Sequence, residues 1–222
     1  MLDCSRDGDV FVLRLDAGEN RFTPALMDAL DTALDTVEQA SAPAALVTIG
    51  TGKFYSNGLD LEEMMRGGAG SAGTYLGRVL GILGRILTFP APTVAAMNGH
   101  AFGAGALLGL VHDVRLMRSD RGFFCMPEVD MKIPLHPGMV AILKSRLPAQ
   151  TAHEVVTTGR RFGGEEARAL GIVEEAMTED ALLARATTIA GERASKANAI
   201  LRTLKTGFYG QVLDALAKPL SM

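Results

Sequence analysis

Two stretches of this chain carry residues whose types and spacing could do chemistry. The first is Met97-Asn98-Gly99-His100-Ala101-Phe102-Gly103-Ala104-Gly105-Ala106-Leu107-Leu108-Gly109. Thr93–Met97 before it reads as a short buried strand, and Ala106–Val111 as the start of a buried helix. A strand that turns through glycine into a helix leaves backbone N–H groups free at the helix start, where the dipole favours negative charge. Glycine lets a ligand approach the main chain. No Asp, Glu, Lys or Arg lies between Met97 and Leu110, so an anion held there is held by backbone. The same residues also fit a glycine-packed core turn. The second stretch is Phe123-Phe124-Cys125-Met126-Pro127-Glu128-Val129. A carboxyl among apolar neighbours has a raised pKa and can take and return protons near neutral pH. The competing reading puts Glu128 on an edge strand facing solvent, because Pro127 bars a regular central strand.

Two further segments need weighing. In Lys53-Phe54-Tyr55-Ser56-Asn57-Gly58-Leu59-Asp60-Leu61, Asn57-Gly58 favours a turn with positive φ, and Asp60 can cap a short helix over 61–66. This is either an ordinary strand-to-helix loop or a second set of backbone donors. Gly68-Ala69-Gly70-Ser71-Ala72-Gly73 matches G-x-G-x-x-G literally. It follows a polar helical stretch and not a strand, and no Asp or Glu occurs from Thr74 to His112 to hold a ribose about 20 residues on. It reads as a flexible loop, not a dinucleotide site.

A chain of 222 residues can bury a sizeable core in one large or two small domains. With 48% hydrophobic and 21% charged residues the chain is globular, and a net charge of −3 offers no footprint for nucleic acid. Cys4 and Cys125 are too few for a disulfide framework, and the four histidines (His100, His112, His136, His153) show no metal-binding spacing, so no metal is expected. The longest uncharged run, Ile86–His112, is broken by Pro90, Pro92 and glycines and is no membrane span. The N-terminus carries Asp3, Arg6, Asp7 and Asp9 with no apolar region, so a cytoplasmic location is expected.

The elements that must position these residues follow from periodicity. Residues 1–6 and Val10–Leu15 read as a hairpin across Asp7-Gly8-Asp9. Thr23 and Pro24 start a helix with Leu26, Leu30, Ala33, Leu34 and Val37 on one face, and Ala45–Ile49 is a buried strand ending in the turn Gly50-Thr51-Gly52. Tyr75–Leu87 is a helix ended by Pro90 and Pro92, and Val114–Met117 a strand. Helices are expected over Met139–Arg146, Gln150–Thr158, Phe162–Leu170 with Gly171 as cap, Asp180–Arg193 and Ala197–Leu216. The chain begins β-rich and ends α-rich, with recurring β-β-α-like units.

The chain resembles the enoyl-CoA hydratase/isomerase (crotonase) family over roughly residues 8–190. The resemblance rests on the order and spacing of Phe54–Leu61, Pro92–Gly105, Asp113-Val114-Arg115, Phe124–Val129, and Gly159–Ala169 followed by Leu170-Gly171-Ile172-Val173. It implies an α/β, ClpP/crotonase-like spiral of ββα units over 1–190. It also implies a short helical C-terminal segment, 191–222, used for assembly into homotrimers or dimers of trimers. The implied substrate is an acyl-CoA thioester, with coenzyme A as part of the substrate and no separate cofactor, nucleic-acid or membrane partner.

By motif position, the family's thioester-enolate chemistry falls on the backbone N–H groups of Leu59 and Ala104. Ser56, Asn57, Gly58, Asp60, Leu61, Gly103, Gly105 and Leu107 fall around the substrate. Hydratases of this type carry two glutamates. Here the first position is Leu107 and the second keeps Glu128. Adding water across a double bond needs a base to hold the water and an acid for the α-carbon, which paired carboxylates supply. Shifting a double bond from the 3 to the 2 position needs one carboxyl, which takes a proton from C2 and returns it at C4. The pattern is therefore similar to the Δ3-Δ2-enoyl-CoA isomerase branch, with Glu128 as shuttle; a hydratase, thioesterase, decarboxylase or non-catalytic acyl-CoA binder is the alternative. Asp130 facing the same pocket would revive hydration. His100 reads as packing or support, Asp60 as a helix cap, Lys53 as solvated, and His136 as undecided. Met64, Met65, Leu80 and Leu83 are candidates either for an acyl pocket or for core.

Overall fold

The computed structural model describes residues 2–40, 42–66 and 68–219. The chain opens with the expected hairpin, β1 (Leu2–Asp7) and β2 (Val10–Leu15), paired antiparallel around Gly8-Asp9. Helix α1 (Pro24–Gln39) starts where Thr23 Oγ1 accepts from Leu26 N–H at 3.1 Å, and it buries the apolar face read from the sequence, with Met27 added. Next come β3 (Ala45–Gly50), β4 (Phe54–Ser56), α2 (Leu61–Arg66) and α3 (Gly68–Leu87), then β5 (Thr93–Met97), β6 (His100–Phe102) and α4 (Ala104–Leu110). A third unit runs β7 (Val114–Arg118), β8 (Phe124–Cys125) and α5 (Glu128–Met131). The rest is mostly helical: α6 (Pro137–Arg146), α7 (Ala149–Thr158), α8 (Gly164–Ala169), strand β9 (Glu175–Met177), α9 (Glu179–Arg193), α10 (Ala199–Phe208) and α11 (Gly210–Leu216).

Among the described residues the strands form two sheets. The larger is ordered β1-β2-β3-β5-β7-β9 and is parallel beyond β2. The smaller is the parallel set β4-β6-β8. Each repeat thus sends one strand into the large sheet, the next into the small sheet, and then a helix. This is the α/β spiral of ββα units that the resemblance implies. Parallel strands need covered faces. Here β2, β3, β5 and β7 bury nearly every residue, packed by α9 on one face and by the main core on the other.

Three expectations need correction, and one competing reading is excluded. Gly68–Gly73 is not a loop but the first turns of α3. Glycine is a weak helix former, yet Ala72 within this segment and Tyr75 and Leu76 just after it are buried, and tertiary packing decides. Arg78 and Arg85 further along α3 reach Asp28, Asp31, Asp35 and Glu38 on α1. Phe162 does not open a helix: it exchanges backbone hydrogen bonds with Phe124 at 2.9 Å, and α8 starts only at Gly164. Ala197–Leu216 is not one helix. It breaks at Tyr209, between Gly207 and Gly210, where the Tyr209 hydroxyl turns inward to accept from Arg146 Nη1 at 2.6 Å. Glu128 is not on an edge strand but opens α5.

Candidate active site

Glycine sets the geometry of the site. At Gly105 an added methyl would lie 2.1 Å from the Ser56 carbonyl oxygen, so β4 and the start of α4 touch at backbone distance. Gly58 sits at φ +80°, and a methyl there would meet the Phe102 carbonyl oxygen at 2.6 Å and Ala104 N at 3.0 Å. The turn before Leu59 therefore packs directly on the turn before Ala104. Among the described residues, neither the Leu59 nor the Ala104 N–H has a hydrogen-bond partner. Both residues line one cavity of about 420 Å³, a size suited to a small-molecule ligand.

The Leu59 turn is held by a set of polar contacts. Phe22 N–H donates to the Gly58 carbonyl, and Asn57 N–H to that of Glu19, each at 2.9 Å. The Tyr75 hydroxyl donates to the Phe22 carbonyl at 2.9 Å and accepts from Asp60 N–H at 2.8 Å. Buried Asn20, at φ +51°, donates from Nδ2 to the carbonyls of Leu15, Phe54 and Tyr55, each at 3.2 Å, and Ser56 Oγ donates to the Asn20 carbonyl at 2.7 Å. The α4 turn is instead locked from behind. His112 Nδ1–H donates to the Leu108 carbonyl at 2.8 Å, which leaves Nε2 to accept from Thr48 Oγ1 at 3.0 Å, while Thr48 accepts from the Tyr55 hydroxyl at 2.7 Å. Full burial holds His112 neutral, with its pKa lowered to about 4.

Glu128 faces the same cavity. Its Oε1 lies 3.2 Å from where a methyl on Gly103 would stand, and its Oε2 is buried without a hydrogen-bond partner. Burial raises its pKa, opposed by a hydrogen bond from its own backbone. Among the described lining residues it is the single carboxylate. The remaining wall is largely apolar, including Leu61, Met64, Phe102, Ile133, Leu135 and Met139, with Arg21 at one side. Such a cavity can hold an apolar chain, bind a developing oxyanion at two backbone donors, and move a proton at one carboxyl.

Of the residues expected around the substrate, Asn57, Leu61 and Gly103 line the cavity with Leu59, Ala104 and Glu128. Ser56, Gly58 and Gly105 stand behind the wall and shape it. Asp60 caps α2, its Oδ1 accepting from Glu63 N–H at 3.2 Å. Leu107 is wholly buried in the core and does not reach the cavity, a correction to its expected place around the substrate. Asp130 lies outside as well, packed against Gly159 at the end of α7. His100 stacks among Phe54, Phe102 and Phe123 away from the cavity, and Lys53 lies over the Phe54 ring. Of the acyl-pocket candidates Met64 lines the cavity; Met65 is exposed, and Leu80 and Leu83 lie in the core. His136 does line it. Sequence reasoning missed Arg21, Leu76, Met131, Ile133, Pro134, Leu135 and Met139, which reach the site by tertiary folding from before α1, from α3 and from the stretch that runs from α5 into α6.

Comparison with known proteins fits this arrangement. The chain is 35% identical over 225 residues to enoyl-CoA delta isomerase 3 of Arabidopsis thaliana, covering 96% of this chain and 93% of that protein. It is 31% identical over 206 residues to carnitinyl-CoA dehydratase of Escherichia coli (strain K12), covering 92% and 78%. Among solved structures it superimposes on a probable enoyl-CoA hydratase of Mycobacterium tuberculosis with a TM-score of 0.89, at 26% identity, over 97% of this chain and 91% of that one. No described helix is long and apolar enough to cross a membrane. The family model for enoyl-CoA hydratase/isomerase matches residues 6–222, and with the crotonase fold and these relatives it establishes that the chain belongs to the enoyl-CoA hydratase/isomerase family.

Proposed function

We propose that this protein is a Δ3-Δ2-enoyl-CoA isomerase. The thioester oxygen of a 3-enoyl-CoA accepts from the backbone N–H groups of Leu59 and Ala104. Glu128, ionised, removes a proton from C2; the electron pair moves into a dienolate held by the two donors. The same carboxyl returns the proton at C4, and the double bond stands between C2 and C3. One such backbone donor is worth roughly 3–4 kcal/mol of barrier. Coenzyme A enters as part of the substrate, and no other cofactor is required. The observation that carries the reading is the lone carboxyl of Glu128, its Oε2 without a partner, in an apolar cavity beside two free backbone donors. Hydration needs a second carboxylate to hold water, and neither Leu107 nor Asp130 stands at the cavity to supply or replace it. The delta isomerase names of the Arabidopsis relatives support the same choice.

The test is Glu128→Gln with 3-enoyl-CoA. Wild type should form 2-enoyl-CoA. The variant should lose roughly 10²–10⁴-fold in kcat, while its affinity for a saturated acyl-CoA changes little. Full activity in the variant would sink the single-carboxyl mechanism.

The proposal extends to assembly and place. Ile200, Leu204 and Phe208 form an apolar stripe on α10 that is 65%, 64% and 81% exposed. A homotrimer or dimer of trimers that buries this stripe accounts for it, and light scattering on Phe208→Glu should show a smaller species than wild type. The expected cytoplasmic location is part of the proposal; two Arabidopsis relatives are named peroxisomal, so imaging in both compartments decides it.

A further inference from the structure

The reaction cavity shares a wall with a second space. A void of about 270 Å³ lies between α3 and the chain just after α11, and Leu76 and His136 line both it and the cavity. His136 is held at both ring nitrogens. Nδ1 accepts from Gly138 N–H at 3.0 Å and caps α6, which places the proton on Nε2, and Nε2–H donates to the Lys218 carbonyl at 3.0 Å. The imidazole thereby bolts the end of the described chain to the start of α6. The bolt has close backing: a methyl on Gly138 would lie 2.7 Å from the Leu216 Cα, so α11 meets α6 at backbone distance. Across the void stand Gly73 and Gly77 of α3, where added methyl groups would meet nothing within 4 Å. The space is open because α3 carries no side chain there. Leu80, Leu216 and Pro219 supply its aliphatic side chains, while His136, Lys218 and the bare main chain of α3 give the rest of the wall a polar character.

We propose that His136, bolted to Lys218, and Leu76 are the specificity-determining partition that limits acyl-chain length. The occupant they exclude is the distal end of a longer acyl chain, because the space behind them adjoins the apolar cavity across Leu76 and His136 and offers that end the side chains of Leu80, Leu216 and Pro219. This inference rests on the acyl-CoA reading above. With the partition in place the reacting thioester and the tail share about 420 Å³; without it, the about 270 Å³ behind becomes available as well. Each methylene that finds an apolar site strengthens binding roughly fourfold, so the limit appears as a break in the rise of kcat/KM with chain length.

The experiment is a series of 3-enoyl-CoA thioesters lengthened in two-carbon steps. It is run on wild type, His136→Ala, Leu76→Ala and the double variant His136→Ala/Gly77→Leu. His136→Ala should move the break at least one step toward longer chains. Leu76→Ala, which leaves the bolt and the α6 cap intact, should do the same even if the His136 variant folds poorly. Adding Gly77→Leu fills the void from α3 and should bring the break back. A break at the same length in all four proteins, with wild type turning over, overturns the partition and leaves the isomerase reading standing. If wild type converts none of the series, calorimetry with saturated acyl-CoA thioesters reads the same limit. A limit that moves with the variants supports the partition, and one that stays overturns it. No binding at any length overturns both the partition and the acyl-CoA reading.

Discussion

Ala104 opens a helix in which every residue is buried, whereas Leu59 precedes a helix with no buried residue. Both line one cavity and have a backbone N–H with no partner among the described residues, but they are held there by opposite means. The Ala104 side is held by packing: α4 is wedged between the main core and β4, with Gly105 against the Ser56 carbonyl. The Leu59 side is held by hydrogen bonds from Asn57, Phe22 and Tyr75. The packed side should therefore resist loss of polar groups at the turn itself, its hydrogen bonds lying behind α4 in His112, Thr48 and Tyr55, and fail when atoms are added there. The clamped side should show the reverse. Glu128 differs from both, since nothing bonds its Oε2 at all.

The sharpest way to break this comparison is Gly105→Val. Its Cβ would stand 2.1 Å from the Ser56 oxygen. We expect loss of activity and destabilisation of about 3 kcal/mol or more by urea unfolding; near-native stability would show that the two turns can part. The α4 side should also be acid-sensitive. His112 has a folded pKa of about 4 against an ordinary 6.5. Because the folded value is depressed, the stability it contributes is complete above about pH 6.5. It declines as pH falls and is gone below about pH 4, a loss of about 3 kcal/mol. Comparing wild type with His112→Gln over that range should show a shallower pH dependence in the variant. Equal slopes would mean that the ring is not held neutral.

Tyr75→Phe probes the clamped side. It removes the hydroxyl that joins Phe22 to Asp60 and adds no atoms. The expected result is roughly a tenfold drop in kcat, about 1.4 kcal/mol, with KM little changed; an unaltered kcat would show that the Leu59 turn needs no clamp. The smallest effect concerns Glu128. Burial raises its pKa, so its ionised form is disfavoured in the folded state and stability is lost as pH rises through the folded value. Glu128→Gln should raise Tm slightly at pH 7 while lowering turnover, and a lower Tm would mean that the carboxylate has a partner.

Much of this was readable in the sequence where local chemistry and final position agree. Thr23-Pro24 starts α1, and Asp7-Gly8-Asp9 makes the hairpin turn, because cap and turn residues act within a few positions. Strands β2, β3 and β5 of the large sheet are mostly apolar runs, as buried parallel strands must be, whereas the three-residue β9 was not read. The small sheet was not legible. Its strands, β4, β6 and β8, are only two or three residues long and lie in glycine- and aromatic-rich turns. They exist because glycines let successive repeats stack, not because of strand propensity. The start of α3 was lost for the opposite reason, since its glycines outvoted the burial of Tyr75 and Leu76. At the site, Leu59, Ala104 and Glu128 came from motif positions, and all three meet at the cavity. Leu107 came from a motif position as well, and Asp130 from its nearness to Glu128; neither lines the cavity.

The central claim is that a cavity with one carboxyl shifts a double bond and does not add water. Product analysis of wild type tests it most directly, with 3-enoyl-CoA in one reaction and 2-enoyl-CoA in another. The account expects 2-enoyl-CoA from the first and little 3-hydroxyacyl-CoA from either. Rapid formation of 3-hydroxyacyl-CoA from the second would contradict it, because a second group would then have to hold and activate water at this site.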